Sequence, residues 1–265
     1  MNKSVASGFT IIETMLFLAV SGLLMMLLMF GTGTALAVQR YKDSVSTLQV
    51  YLQDQYGEVR SVRNDRNGSQ SCDSAGVGDS PEIRGQSECV ILGRYVSIDG
   101  GRMTSSSVVG YGDIIPDSSD IVSLGSDFTL SIFDETTESR QLEWGAQIAW
   151  PSSGEGAQPA TTPRSIALLI VQSPVSGVVY TFSAQTFSDI TRPTSDELQS
   201  MISLTPTPPN IYGRTQQVIC VDAGGYMPGS PMAIVVKERA AGASAVEVRT
   251  NEILSSIEGE GAPQC

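Results

Sequence analysis

The 265-residue chain has no histidine. This removes the side chain that titrates nearest neutral pH, every Ser-His-Asp or Cys-His arrangement, and the commonest zinc ligand. Cysteine is scarce: Cys72, Cys89, Cys220 and Cys265 are the full set, and no two have the CxxC spacing of a zinc ribbon or a thioredoxin-like site. No GxxxxGK[ST] element is present to cradle a phosphate, and Gly224-Gly225-Tyr226 reads as a turn. Basic residues are also few, with 16 Lys+Arg against 28 Asp+Glu and a net charge of −12. Lys3, Arg40 and Glu13 are the only charges in the first 40 residues, which leaves −13 on residues 41–265. A surface that acidic repels nucleic-acid phosphates, so no nucleic-acid partner is expected. Acidic residues are too scattered to nominate an acid–base pair. Asp113, Asp117 and Asp120 lack EF-hand spacing and read as a solvated acidic loop. The sequence therefore points to no enzyme, no cofactor and no metal site.

Charge is most conspicuously absent between Phe9 and Val38, where Glu13 stands alone. The uncharged run Met15–Val38 has 24 residues, more than the ~20 that cross a hydrocarbon core. Gly22, Gly31 and Gly33 interrupt it, which a membrane or a packed bundle tolerates. Three features do not suit a plain anchor. The leader Met1–Gly8 is short and carries only Lys3, Gly8 and Phe9 mark a sharp polar-to-apolar junction, and Glu13 lies inside the apolar segment. A carboxylate deep in a bilayer costs ~2.5–3.5 kcal/mol on insertion scales, so it calls for a partner.

The string Gly8-Phe9-Thr10-Ile11-Ile12-Glu13, with its apolar sequel, resembles the cleavage and methylation motif of type IV prepilins and type II secretion pseudopilins. The resemblance covers about the first 55 residues. It implies cleavage between Gly8 and Phe9 by a membrane-embedded prepilin peptidase, then N-methylation of Phe9. Glu13 matches the family's fifth mature residue and would pair with a neighbouring subunit's terminal amine, fixing register. The implied partners are the peptidase, other pilin subunits, the inner-membrane assembly machinery, and membrane lipid before assembly. The implied location is a membrane-held precursor and then an extracellular pilus or pseudopilus, serving adhesion, motility, DNA uptake or secretion. A mature length of 257 residues leans towards a minor or pseudopilin-like subunit. Two other readings use the same segment: a non-polymerising single-pass anchor for a binding or adhesion domain, and a signal peptide cut after Ala35-Leu36-Ala37.

Past Val38 the chain turns polar without losing helical period. Val38, Tyr41, Val45, Leu48, Leu52, Tyr56, Val59 and Val62 step by three or four and mark one apolar stripe. No proline occurs before Pro81, so one helix is predicted from Phe9 to about Val62, ended by the turn signal Asn67-Gly68. The segments are a leader (1–8), a transmembrane or filament-core helix (9–38), an amphipathic continuation (39–63) and a β-rich extracytoplasmic domain (64–265).

In that domain, strands are predicted at Cys89–Ile98, Phe128–Phe133, Glu143–Trp150, Ser165–Gln172, Val178–Ser183, Gln216–Val221, Ala233–Lys237 and Val246–Arg249. Short helices are predicted at Ser195–Ser203 and Asn251–Glu258. The expected class is α+β, a long helix against a mainly antiparallel sheet. Four cysteines beyond a membrane-length segment read as two disulfides formed outside the cytoplasm. Three pairings are possible, and sequence proximity favours Cys72–Cys89 with Cys220–Cys265.

Overall fold

The structure, a computed structural model, describes residues 10–61, 68–74, 76–83, 85–112, 120, 123–151, 163–184, 187, 189–202, 216–224, 230–237, 240, 242–258 and 265. It begins with α1 (Ile11–Ser61), a single helix of 51 residues and roughly 75 Å at 1.5 Å per residue. Strands β1 (Ser71–Asp73), β2 (Gly76–Gly78), β3 (Val90–Asp99), β4 (Arg102–Gly112) and β5 (Phe128–Gln141) follow. Next come β6 (Gln147–Ala149), β7 (Ser165–Gln172), β8 (Val179–Ala184) and helix α2 (Ser195–Ile202). The chain then forms β9 (Gln217–Asp222), β10 (Met232–Val236), β11 (Val246–Thr250) and helix α3 (Asn251–Glu258).

The strands form a five-stranded sheet in the order β5-β4-β3-β7-β8, a four-stranded sheet in the order β11-β10-β9-β6, and the hairpin β1-β2. Every strand pairing is antiparallel. The fold is α+β.

The second half of α1 packs on β3 and β7 of one sheet and on β10 and β11 of the other. It buries Tyr41, Ser44, Val45, Leu48, Tyr51, Leu52, Gln55, Tyr56 and Val59. Each fully buried leucine there contributes ~1.5–3 kcal/mol relative to exposure.

Period-two alternation decides what each strand covers. On β7, Ile166, Leu168 and Ile170 join the cluster around α1, while Ala167, Leu169 and Val171 face the cluster that holds Leu198, Met201 and Ile202 of α2. On β10, Ile234 and Val236 face α1, and Ala233 and Val235 pack with Leu254 of α3. Burial on both faces explains why these two strands read as nearly unbroken apolar runs rather than alternating ones.

The structure departs from the sequence-based strands in four places. Glu143–Trp150 is not one strand: a 3-10 turn (Glu143–Gly145) precedes the three-residue β6. Trp144 at φ 59° and Gly145 at φ 71° turn the backbone out of extension there. β5 runs on past Phe133 to Gln141, its polar end lying exposed along the sheet edge. β4 and the β1–β2 hairpin have no counterpart among the sequence-based strands. Within β3, the register shifts between Ile91 and Gly93. A Cβ on Gly93 would lie 2.0 Å from the Ile170 carbonyl oxygen, so only glycine lets β7 approach at this bulge.

Candidate functional site: the bare half of α1

The first half of α1 lies outside the fold. From Ile11 to Leu36, sixteen large apolar side chains are more than half exposed, among them Phe17 at 71% and Met29 at 77%. They occur on all sides of the helix and form no single stripe. Covering them is worth tens of kcal/mol, at ~1.5–3 kcal/mol per side chain. A helix apolar all round needs lipid or other helices around it. The segment is long and apolar enough to cross a membrane.

Its hydroxyl side chains are satisfied from within. Thr14 Oγ1 donates to the Ile11 carbonyl at 2.9 Å, Ser21 Oγ to Phe17 at 2.7 Å, Thr32 Oγ1 to Leu28 at 3.0 Å and Thr34 Oγ1 to Gly31 at 3.0 Å. These back-bonds hide hydroxyl donors that would be costly to leave unpaired in hydrocarbon.

At the helix start, Thr10 is the cap. The Glu13 backbone N–H donates to Thr10 Oγ1 at 3.3 Å and to the Thr10 carbonyl at 3.1 Å, and the Thr14 N–H reaches the same carbonyl at 3.2 Å. Thr10-Ile11-Ile12-Glu13 has the spacing of a capping box, and its carboxylate stands in the first turn, where the helix dipole favours negative charge. The S/T-x-x-E pattern that marks this cap stands in the sequence beside the assembly role expected of Glu13. The exposed Glu13 carboxylate has no ion-pair partner among the described residues. Gly8 and Phe9 lie outside the described residues.

The four cysteines form two disulfides. Cys72–Cys89 ties the β1–β2 hairpin to the start of β3, and Cys220–Cys265 ties β9 to the last residue of the chain. Cys265 is further held by its N–H donating to Asn251 Oδ1 at 2.8 Å. Such bonds persist in oxidising compartments. The chain thus joins an apolar helix of membrane-spanning length to a disulfide-bonded domain.

The remaining perturbed groups have structural partners. Of the acidic trio, Asp113 and Asp117 lie outside the described residues. Asp120 accepts hydrogen bonds from Ser176 and, at 3.0 Å, from Tyr180. These bonds, that from Ser176 foremost, hold its carboxyl below the usual range. Burial pushes Arg164 down to about 10. Its guanidinium donates to the Val218 carbonyl at 2.6 Å and lies 4.7 Å from the Trp150 ring centre. Among the described residues, no three metal-ligating side chains come together.

Compared with known proteins, the chain matches no family model, no curated protein and no solved structure.

Proposed function

We propose that this chain is a type IV pilin-like filament subunit with a structural role, held in a membrane by the first half of α1 and later packed through the same surface against other copies. The observation that carries the reading is the continuity of α1: one capped helix is bare for its first half and forms the core of a disulfide-bonded domain with its second. A helix built this way transmits a grip on its apolar half directly to the domain. A flexible tether would suffice for a simple anchor.

The motif at Gly8-Phe9 and the charge at Glu13 extend the argument. Cleavage after Gly8 would create a cationic amine on Phe9. A neighbour's Glu13 would answer that amine inside an apolar bundle, offsetting a desolvation cost that neither charge bears well alone. A subunit docked out of register would leave both charges unpaired.

Mass spectrometry of the mature N-terminus tests the reading. An N-methylated Phe9 supports it. An intact Met1 favours a non-polymerising anchor, and a terminus at Val38 a secreted domain; either result rejects it.

A further inference from the structure

Trp144 stands apart from the rest of the fold. It is 56% exposed, and it is the one non-glycine residue with positive φ among the described residues (φ 59°, ψ 21°). Glycine or asparagine would adopt that backbone with less strain, so its own stability does not explain a tryptophan there. The turn that carries it is firmly pinned. The Leu142 N–H donates to the Gly101 carbonyl at 2.8 Å, Ser44 Oγ of α1 donates to the Glu143 carbonyl at 2.9 Å, and Leu142 and Ala146 are buried. Between those two buried residues the indole is forced outward, and the Arg40 guanidinium lies 4.6 Å from its ring centre.

Arg40 is the first charge after Glu13, and it lies two residues, ~3 Å along the axis, beyond the end of the apolar run at Val38. The pair therefore stands at the level where a spanning α1 would leave the hydrocarbon. Tryptophan concentrates at that level because its ring is apolar while its N–H needs a polar acceptor, and arginine pairs there with lipid phosphate.

We propose that Trp144 and Arg40 form an interfacial anchor that seats the rim of the domain in the headgroup layer of a phospholipid bilayer. The anchor fixes how the domain is turned on the membrane before assembly. It rests on the membrane placement of α1 proposed above.

The experiment uses the full-length chain in phosphatidylcholine–phosphatidylglycerol vesicles with bromine either high or low on the acyl chains. The chain has two tryptophans, so subtracting the emission of Trp144→Phe from that of the wild type isolates Trp144. This ring is exposed, and the substitution leaves the packed core untouched. Shallow bromine is expected to quench the Trp144 component about twofold more than deep bromine. Arg40→Gln should lower that shallow quenching, because the ring loses the guanidinium stacked on it. Vesicle flotation keeps the two readings apart. A chain that floats but whose Trp144 emission is unquenched, or quenched mainly by deep bromine, overturns the anchor and leaves the membrane placement standing; absence of quenching would instead turn the ring towards a neighbouring copy. A chain that does not float overturns both.

Discussion

Arg94 of β3 and Glu58 of α1 meet at 3.0 Å across the helix–sheet interface, with the arginine side chain 7% exposed and the glutamate 30%. The same guanidinium donates to Gln55 Oε1 at 3.1 Å, Ser107 Oγ at 3.0 Å and Ser105 Oγ at 3.1 Å. One side chain thus ties the helix to two adjacent strands.

Arg94→Met should lower the stability of the domain by about 2–4 kcal/mol, because several charge-assisted bonds go and their buried partners lose a donor. Arg94→Lys should restore little, since an ammonium lacks the planar fork that reaches four partners at once. Urea unfolding of the detergent-solubilised chain measures both, and an unchanged midpoint for Arg94→Met would remove the network from the account of stability.

The same network shows why β4 was illegible in sequence. Arg102–Gly112 contains Ser105-Ser106-Ser107 and two glycines, a composition that reads as loop. These serines are buried, and their hydroxyls are taken by residues on the two flanking strands: Arg94 of β3 for Ser105 and Ser107, and Thr137 of β5 for Ser106 at 2.7 Å. Local propensity carries no trace of such partners. β7, β10 and both short helices were legible because their signals are local: an apolar run, or a capped amphipathic turn. The α1 stripe was legible for the same reason, except for Tyr51, which is buried outside the predicted stripe, and the polar members Ser44 and Gln55, which are buried for the sake of Glu143 and Arg94. At the candidate site, the apolar run and Glu13 could be read directly. Trp144 could not, since its exposure follows from a turn that the sequence presents as strand.

Alkaline pH should unfold the domain through its tyrosines. Tyr41, Tyr51, Tyr56 and Tyr95 are buried, and burial raises the pKa of each phenol, to about 12 for Tyr56. A folded pKa above the unfolded value of ~10 means that the fold favours the protonated phenol. This contribution is complete below pH ~10 and is lost as pH rises through about 12. Phenolate absorbance should therefore appear in two waves, the second coinciding with loss of tertiary structure. A single wave near the ordinary tyrosine range would contradict the burial of these rings.

The disulfide from Cys220 closes a sequence separation of 45 residues and that from Cys72 one of 17. In the chain-entropy model these stabilise by ~4 and ~3 kcal/mol. Cys265→Ser should therefore lower the unfolding temperature more than Cys89→Ser, and it should release the last residue from its packing beside Leu254. Non-reducing peptide mapping of the native protein checks the pairing, and alkylatable thiols at Cys220 and Cys265 would refute it.

Under the filament role proposed above, Glu13→Gln should impair assembly and leave folding intact. The cap at the start of α1 uses the Glu13 backbone N–H and the Thr10 hydroxyl, so the substitution keeps the helix start while removing the charge. The first buried residue of α1 is Tyr41, 28 positions further on and ~42 Å along the axis, so the thermal stability of the domain should not move. Membrane insertion should be equal or better, because a carboxylate no longer has to enter hydrocarbon. Incorporation into filaments should fall, since a neighbour's Phe9 amine would dock without its counter-charge. Thr10→Val supplies the complementary control: it removes the capping hydroxyl, a change of about 1 kcal/mol at the helix end, and keeps the charge. If register depends on the ion pair, Glu13→Gln depletes the filament pool relative to the membrane pool and Thr10→Val does so far less. Equal depletion by both would mean that assembly depends on the order of the first helical turn. Wild-type incorporation of Glu13→Gln would eliminate the ion pair even if the chain still polymerises.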